Sequence, residues 1–84
     1  MSWTINYSKT ALKQLKKLEK SIAKQIMDYM DAITDPWAQG KTLKGELREY
    51  WRYRTGDYRI KCKIEKEQLI ILVVEVGNRK DIYK

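Results

Sequence analysis

Arginine and tyrosine recur at close spacing through the second half of this chain. Trp51-Arg52-Tyr53-Arg54 is followed by Gly56-Asp57-Tyr58-Arg59, and the chain closes with Gly77-Asn78-Arg79-Lys80-Asp81-Ile82-Tyr83-Lys84. A guanidinium grips phosphate through two parallel hydrogen bonds and stays charged at any cellular pH. A tyrosine offers a face on which a base stacks and a hydroxyl that can carry a proton. Histidine, the usual acid–base group near neutrality, is absent. Chemistry in this chain must therefore lean on fixed positive charge.

The overall balance agrees. A net charge of +7 on 84 residues predicts attraction to polyanions: RNA, DNA, a ribosome or an acidic protein. An anionic membrane surface would attract it too, but no apolar run is long enough to span a bilayer and no leader pattern opens the sequence. The single cysteine, Cys62, cannot form an internal disulfide, so a reducing cytoplasm is the expected compartment. Cys62 alternates with Ile60 and Ile64 and reads as a small buried hydrophobe. With no histidine and one cysteine, neither a transition-metal site nor any other cofactor is expected.

These side chains need elements to hold them, and one domain over 1–84 is the expectation. Residues 3–7 alternate apolar and polar as a first strand. Ser8 is a helix N-cap candidate, followed by Leu12, Leu15 and Leu18 at helical spacing among lysines. Ser21 is a second cap candidate. Ile22, Ile26, Met30 and Ile33 mark one face of a second helix, which Asp35-Pro36 ends. Residues 35–45 read as loop. Strands are expected over 46–54, 58–65 and 69–76, joined at Thr55-Gly56-Asp57 and at Lys66-Glu67-Gln68, with a short polar tail from Gly77. The fold class is thus α+β. A strand and a two-helix hairpin precede a three-stranded antiparallel meander, and the helices cover one face of the sheet.

Such a sheet leaves its other face open, and strand alternation decides what stands there. Arg52 and Arg54 share one face of their strand. Arg59, Lys61 and Lys63 share one face of the next. If the two faces coincide, five cations occupy one surface. Residues 44–63 carry seven basic side chains against three acidic ones. An ordinary solvated strand face, with edge lysines that discourage aggregation, would also produce such a pattern. Arginine near the turn and interleaved rings (Tyr50, Trp51, Tyr53, Tyr58) favour a nucleotide backbone, although Trp51 and Tyr53 have core parity. The lysines of the first helix (Lys9, Lys13, Lys16, Lys17, Lys20) form a second basic surface, either solvated or in contact with structured RNA.

The pieces Leu43-Lys44-Gly45, Tyr50-Trp51-Arg52-Tyr53-Arg54, Gly56-Asp57-Tyr58-Arg59, Gly77-Asn78-Arg79 and Ile82-Tyr83 together resemble the RelE/ParE superfamily of bacterial toxins, over nearly the whole chain. The resemblance implies the toxin of a type II toxin–antitoxin pair. In the RelE-like branch that means a ribosome-dependent endoribonuclease that cuts mRNA in the A site and so stops translation. In the ParE-like branch it means inhibition of DNA gyrase. A plain nucleic-acid-binding module is a third possibility. By the resemblance, Arg59, Arg79 and Tyr83 match the catalytic arginines and the C-terminal tyrosine. Arg52 and Arg54, with Lys61 from the next strand, would bind the RNA backbone, and Lys44 is a further contact candidate. The implied partners are a cognate antitoxin, the ribosome with its rRNA, and mRNA. Operator DNA would be met only through the antitoxin complex, and no membrane is involved.

Overall fold

The computed structural model describes residues 3–42 and 50–78. Of the candidate site residues, Arg52, Arg54, Arg59 and Lys61 fall within this set, whereas Lys44, Arg79 and Tyr83 lie outside the described residues. In chain order the elements are β1 (Thr4–Tyr7), α1 (Lys9–Lys16), α2 (Lys20–Asp31), β2 (Lys41–Thr42), β3 (Trp51–Thr55), β4 (Tyr58–Glu65), a 3₁₀ turn (Lys66–Gln68) and β5 (Ile70–Asn78).

The strands form one mixed sheet in the order β1-β5-β4-β3-β2. β3, β4 and β5 make the expected antiparallel meander. β1 lies parallel to β5, with Ile5 opposite Ile71 and Tyr7 opposite Val73. Tyr7, Ile60, Cys62 and the other inward residues of the strands meet Ala11 and Leu15 of α1 and Ile26 and Met30 of α2, with Ile33 just beyond. Each aliphatic side chain fully buried in this layer contributes about 1.5–3 kcal/mol. Among the described residues, no helix is long and apolar enough to cross a membrane.

Ser8 caps α1 as expected, its hydroxyl accepting from the Ala11 amide at 3.0 Å. Leu12 does not join the apolar stripe. Ala11 and Leu15, four apart, take the inner face of this two-turn helix, and Leu12 is rotated out to 43% exposure. The cap of α2 is Glu19, not Ser21, so α2 begins one residue before that serine. α2 also stops at Asp31, short of Asp35-Pro36. Residues 35–38 form their own turn: the Trp37 amide bonds the Asp35 carboxylate at 3.1 Å and the Ala38 amide bonds the Asp35 carbonyl at 3.1 Å.

Three strand expectations change. Residues 41–42, read as loop, pair with Arg52 and Trp51 as the fifth strand. They do so because Gly40, at φ 76°, turns the chain against β3. β5 begins at Ile70, since Leu69 adopts the left-handed conformation after the 3₁₀ turn. It then runs on to Asn78 because Tyr58 and Arg59 supply partners for Asn78 and Gly77. The start of the strand expected over 46–54 lies outside the described residues up to position 49.

A register shift separates the pairs Lys61↔Glu75 and Cys62↔Val73, leaving Val74 as an extra residue in β5. The backbone groups displaced there are taken up by α1. Ser8 Oγ donates to the Val74 carbonyl at 2.7 Å, and the Val76 amide donates to Gln14 Oε1 at 2.6 Å. The bulge changes the phase of β5, so Ile71, Val73 and then Val76 all point into the core.

Two outcomes follow from these contacts. Ser8→Ala removes a helix cap and leaves the Val74 carbonyl without its donor, so unfolding in urea should show a loss of about 1–3 kcal/mol; a loss under about 0.5 kcal/mol would mean that the bulge does not depend on α1. Burial raises the Cys62 thiol above its ordinary 9.0. Burial, Asp31 and Cys62 push Tyr7 from 10.0 up to about 12. As pH rises the unfolded chain releases these protons first. Stability should therefore be intact below pH 9 and fall from there, with Tyr7 adding to the decline between pH 10 and about 12. A urea midpoint that stays flat from about pH 8 to 11 would contradict the burial of both groups.

Candidate nucleic-acid interface

β3 and β4 place cations directly opposite cations. Arg54 faces Arg59 and Arg52 faces Lys61 across the ladder. Residues paired this way share a face of the sheet. The intervening pair, Tyr53 and Ile60, is fully buried under the helices. The charged pairs therefore stand on the opposite face, and the two faces in question coincide. Strand alternation adds Lys63, and pairing with Arg52 adds Lys41 of β2. Arg54, Lys41 and Lys63 are exposed, while Arg52, Arg59 and Lys61 are half-buried.

Tyr50 contributes a ring to this surface, with the Lys61 ammonium 4.4 Å from its centroid. Lys61 also lies opposite Glu75, and Arg59 lies opposite Gly77. An open cavity of about 260 Å³ is lined by Tyr29, Gly40, Lys41, Arg52, Arg54 and Arg59. Burial, and to a lesser degree Cys62, raises the Tyr29 phenol above its ordinary value. At cellular pH it is a neutral hydroxyl in the cavity wall.

Side chains of β3 hold the segment that leads into the short β2. Trp51 Nε1 donates to the Gln39 carbonyl at 2.7 Å, and Tyr53 Oη donates to the Pro36 carbonyl at 2.7 Å. A Cβ on Gly40 would overlap the Arg52 carbonyl and lie 2.7 Å from Trp51 Nε1, so only glycine lets the backbone come this close. Trp37 of the same loop meets Trp3 edge-on, centroids 5.5 Å apart.

Arg52, Arg54, Arg59 and Lys61 are thus brought together. Lys41 was missed as a member of the group because a strand of two residues shows no alternation; Gly40 before it was the available signal. Cys62 sits behind the face, fully buried, with its thiol pKa raised by burial, and takes no part in the surface chemistry. The lysines of the helix side, Lys9, Lys13, Lys16, Lys17 and Lys20, are all exposed.

Taken pair by pair, such an apposition is unfavourable. Like charges directly opposite each other destabilise a sheet, and two unit charges ~5 Å apart repel by about 0.8 kcal/mol even in water. Arg54→Glu, which turns the Arg54–Arg59 pair into an attractive one, should raise stability by roughly 0.2–1 kcal/mol in urea titration. A drop in stability instead would show that the cation at 54 serves the fold.

The comparisons with known proteins agree on one origin. Residues 5–83 match the family model described as the ParE toxin of the type II toxin-antitoxin system parDE. Toxin RelG of Mycobacterium tuberculosis is 30% identical over 86 residues, an alignment that spans all of this chain and 99% of the relative. A putative RelE-like toxin protein of Escherichia coli is 31% identical, with 99% and 92% of the two chains covered. The fold is similar to a chain in the RelBE2 toxin–antitoxin complex of Mycobacterium tuberculosis, with a TM-score of 0.88, 26% identity and coverage of 96% and 95%. With a family model matched over almost its full length, and a relative aligned from end to end, this chain belongs to the RelE/ParE superfamily of type II toxin–antitoxin toxins.

Proposed function

We propose that this toxin is a ribosome-dependent, metal-independent endoribonuclease that cuts mRNA in the A site and so halts translation. The observation that carries the reading is the pairing of Arg54 with Arg59 and of Arg52 with Lys61 on the face away from the helices. Four cations in two facing pairs suit a phosphodiester, whose oxygens accept from guanidinium and ammonium groups.

The reaction that suits such a site is attack of the substrate's 2′-hydroxyl on the adjacent phosphorus. The 2′-O–P bond forms, the P–O5′ bond breaks, and the products are a 2′,3′-cyclic phosphate and a 5′-hydroxyl. The 2′-oxygen gives up a proton and the 5′-oxygen takes one. Negative charge grows on the phosphoryl oxygens in between. Arg59 and Arg79 are assigned to that charge; one preorganised donor of this kind is worth about 3–4 kcal/mol, or ~10²–10³ in rate. Tyr83 is assigned to proton transfer or to stacking on the base. Arg52, Arg54 and Lys61 position the backbone, and Lys44 is a further RNA contact. Fixed guanidinium charge here takes the part that a metal plays in other nucleases.

The partner follows from the relatives. The RelBE2 toxin is in complex with its antitoxin, and a chain of net charge +7 would be covered well by an acidic antitoxin. The ribosome and mRNA are the remaining partners, operator DNA is reached only through the antitoxin complex, and the cytoplasm is the place of action. A second reading has its own support: the matched family model carries the ParE name, which favours a gyrase inhibitor without nuclease activity.

A translation extract supplied with mRNA separates the two. Codon-phased fragments, lost with Arg59→Ala or Arg79→Ala while each variant remains folded, are expected for the nuclease. Tyr83→Phe should slow cleavage; an unchanged rate would leave that residue only a stacking role. Intact mRNA together with arrested DNA supercoiling would establish the gyrase reading and end the nuclease one.

A further inference from the structure

We propose that Lys41 completes a second phosphate subsite, one nucleotide away from the phosphate held by Arg54 and Arg59. This rests on the nuclease reading above and specifies its substrate further: a single-stranded RNA gripped at two successive phosphates.

The cations on the open face fall into two rows that run across the strands. Arg54 and Arg59 make one row, which ends at Gly77. Lys41, Arg52 and Lys61 make the other, which ends at Glu75. Within a row, neighbours are one strand spacing apart, about 4.8 Å. The rows are two residues apart along β3 and β4, about 6.6 Å, a distance comparable to one step of an extended nucleotide chain. Two successive phosphates of one strand match this spacing, one to each row.

Lys41 is placed in the second row by the core. Gly40 presses against the Arg52 carbonyl and the Trp51 indole, Trp51 holds the Gln39 carbonyl, and Tyr53 holds Pro36. The same two strand residues, Trp51 and Tyr53, that fill the inner face therefore fix the cation on the outer one. Lysine is common on edge strands, where it deters pairing with other chains. That duty requires only exposure at the edge. Lys41 instead lines the cavity together with Arg52, Arg54 and Arg59.

The test is the salt dependence of binding. A fluorescently labelled single-stranded RNA oligonucleotide is titrated with the protein at several KCl concentrations, and the slope of log K against log[KCl] is read by anisotropy. Lys41→Ala should lower the slope by about 0.7, the share of one phosphate contact on a single strand. Lys41→Arg should restore it. Lys66→Ala, in the distant 3₁₀ turn, should leave it unchanged. In the translation extract, Lys41→Ala should raise the toxin concentration needed for half-maximal cleavage while full cleavage is still reached at saturation. A slope equal to wild type in folded Lys41→Ala overturns the subsite and leaves the nuclease reading standing. A wild-type protein with no salt-dependent RNA affinity and no cleavage in the extract overturns both.

Discussion

The register of β3 against β4 is the constraint on which the rest depends. Thr55 pairs with Tyr58, so the connection is the two residues Gly56 and Asp57. Gly56 comes first and has φ 60°, the pattern of a tight hairpin turn that matches the twist of the strands. Gln25 of α2 ties this turn to the helix layer by donating to the Thr55 hydroxyl at 3.1 Å. Because side chains alternate with period two, a slip of one residue would carry every arginine of the pair into the core and every core residue out. The burial of Tyr53 against Ile60 and the apposition of Arg54 and Arg59 are thus one decision, enforced by the cost of burying charge.

The bulge at Val74 plays the same part on the other side of β4. It lets β5 bury Ile71, Val73 and Val76 despite the change from odd to even positions. The unmatched backbone is satisfied by a helix cap and a glutamine, so α1 and β5 hold each other. A bulge of this kind would otherwise leave polar groups stranded beside the core. Here Ser8 serves both elements, since its hydroxyl caps α1 and donates to β5.

The two faces of this sheet differ sharply along β3 and β4. The inner face is wholly apolar among the buried residues. The outer face gathers Lys41, Arg52, Arg54, Arg59, Lys61 and Lys63 in close array. Folding is driven by the first, and the second sets like charges opposite one another across the β3–β4 ladder. Arg59 and Lys61 are half-buried, so their charges are screened by less water than fully exposed ones.

Much of this was legible in the residues alone. Local rules carried the Ser8 cap, the period-two strand over 58–65, the Gly56 turn, the burial of Cys62 and the core parity of Trp51 and Tyr53. The motif pieces carried the family. The misses share one cause, which is that backbone partners far away in sequence settle the matter. Leu12 was turned outward because Ala11 and Leu15 fitted the sheet. Lys41 became a strand residue because β3 offered it an edge. β5 extended to Asn78 because β4 had amides and carbonyls left to pair. The order of residues by itself determined that arginines would alternate with core residues on each strand. Only the tertiary structure decided that the two alternations meet in phase, since the facing of β3 and β4 depends on a ladder between strands and on the helix layer that makes one phase affordable and the other prohibitive.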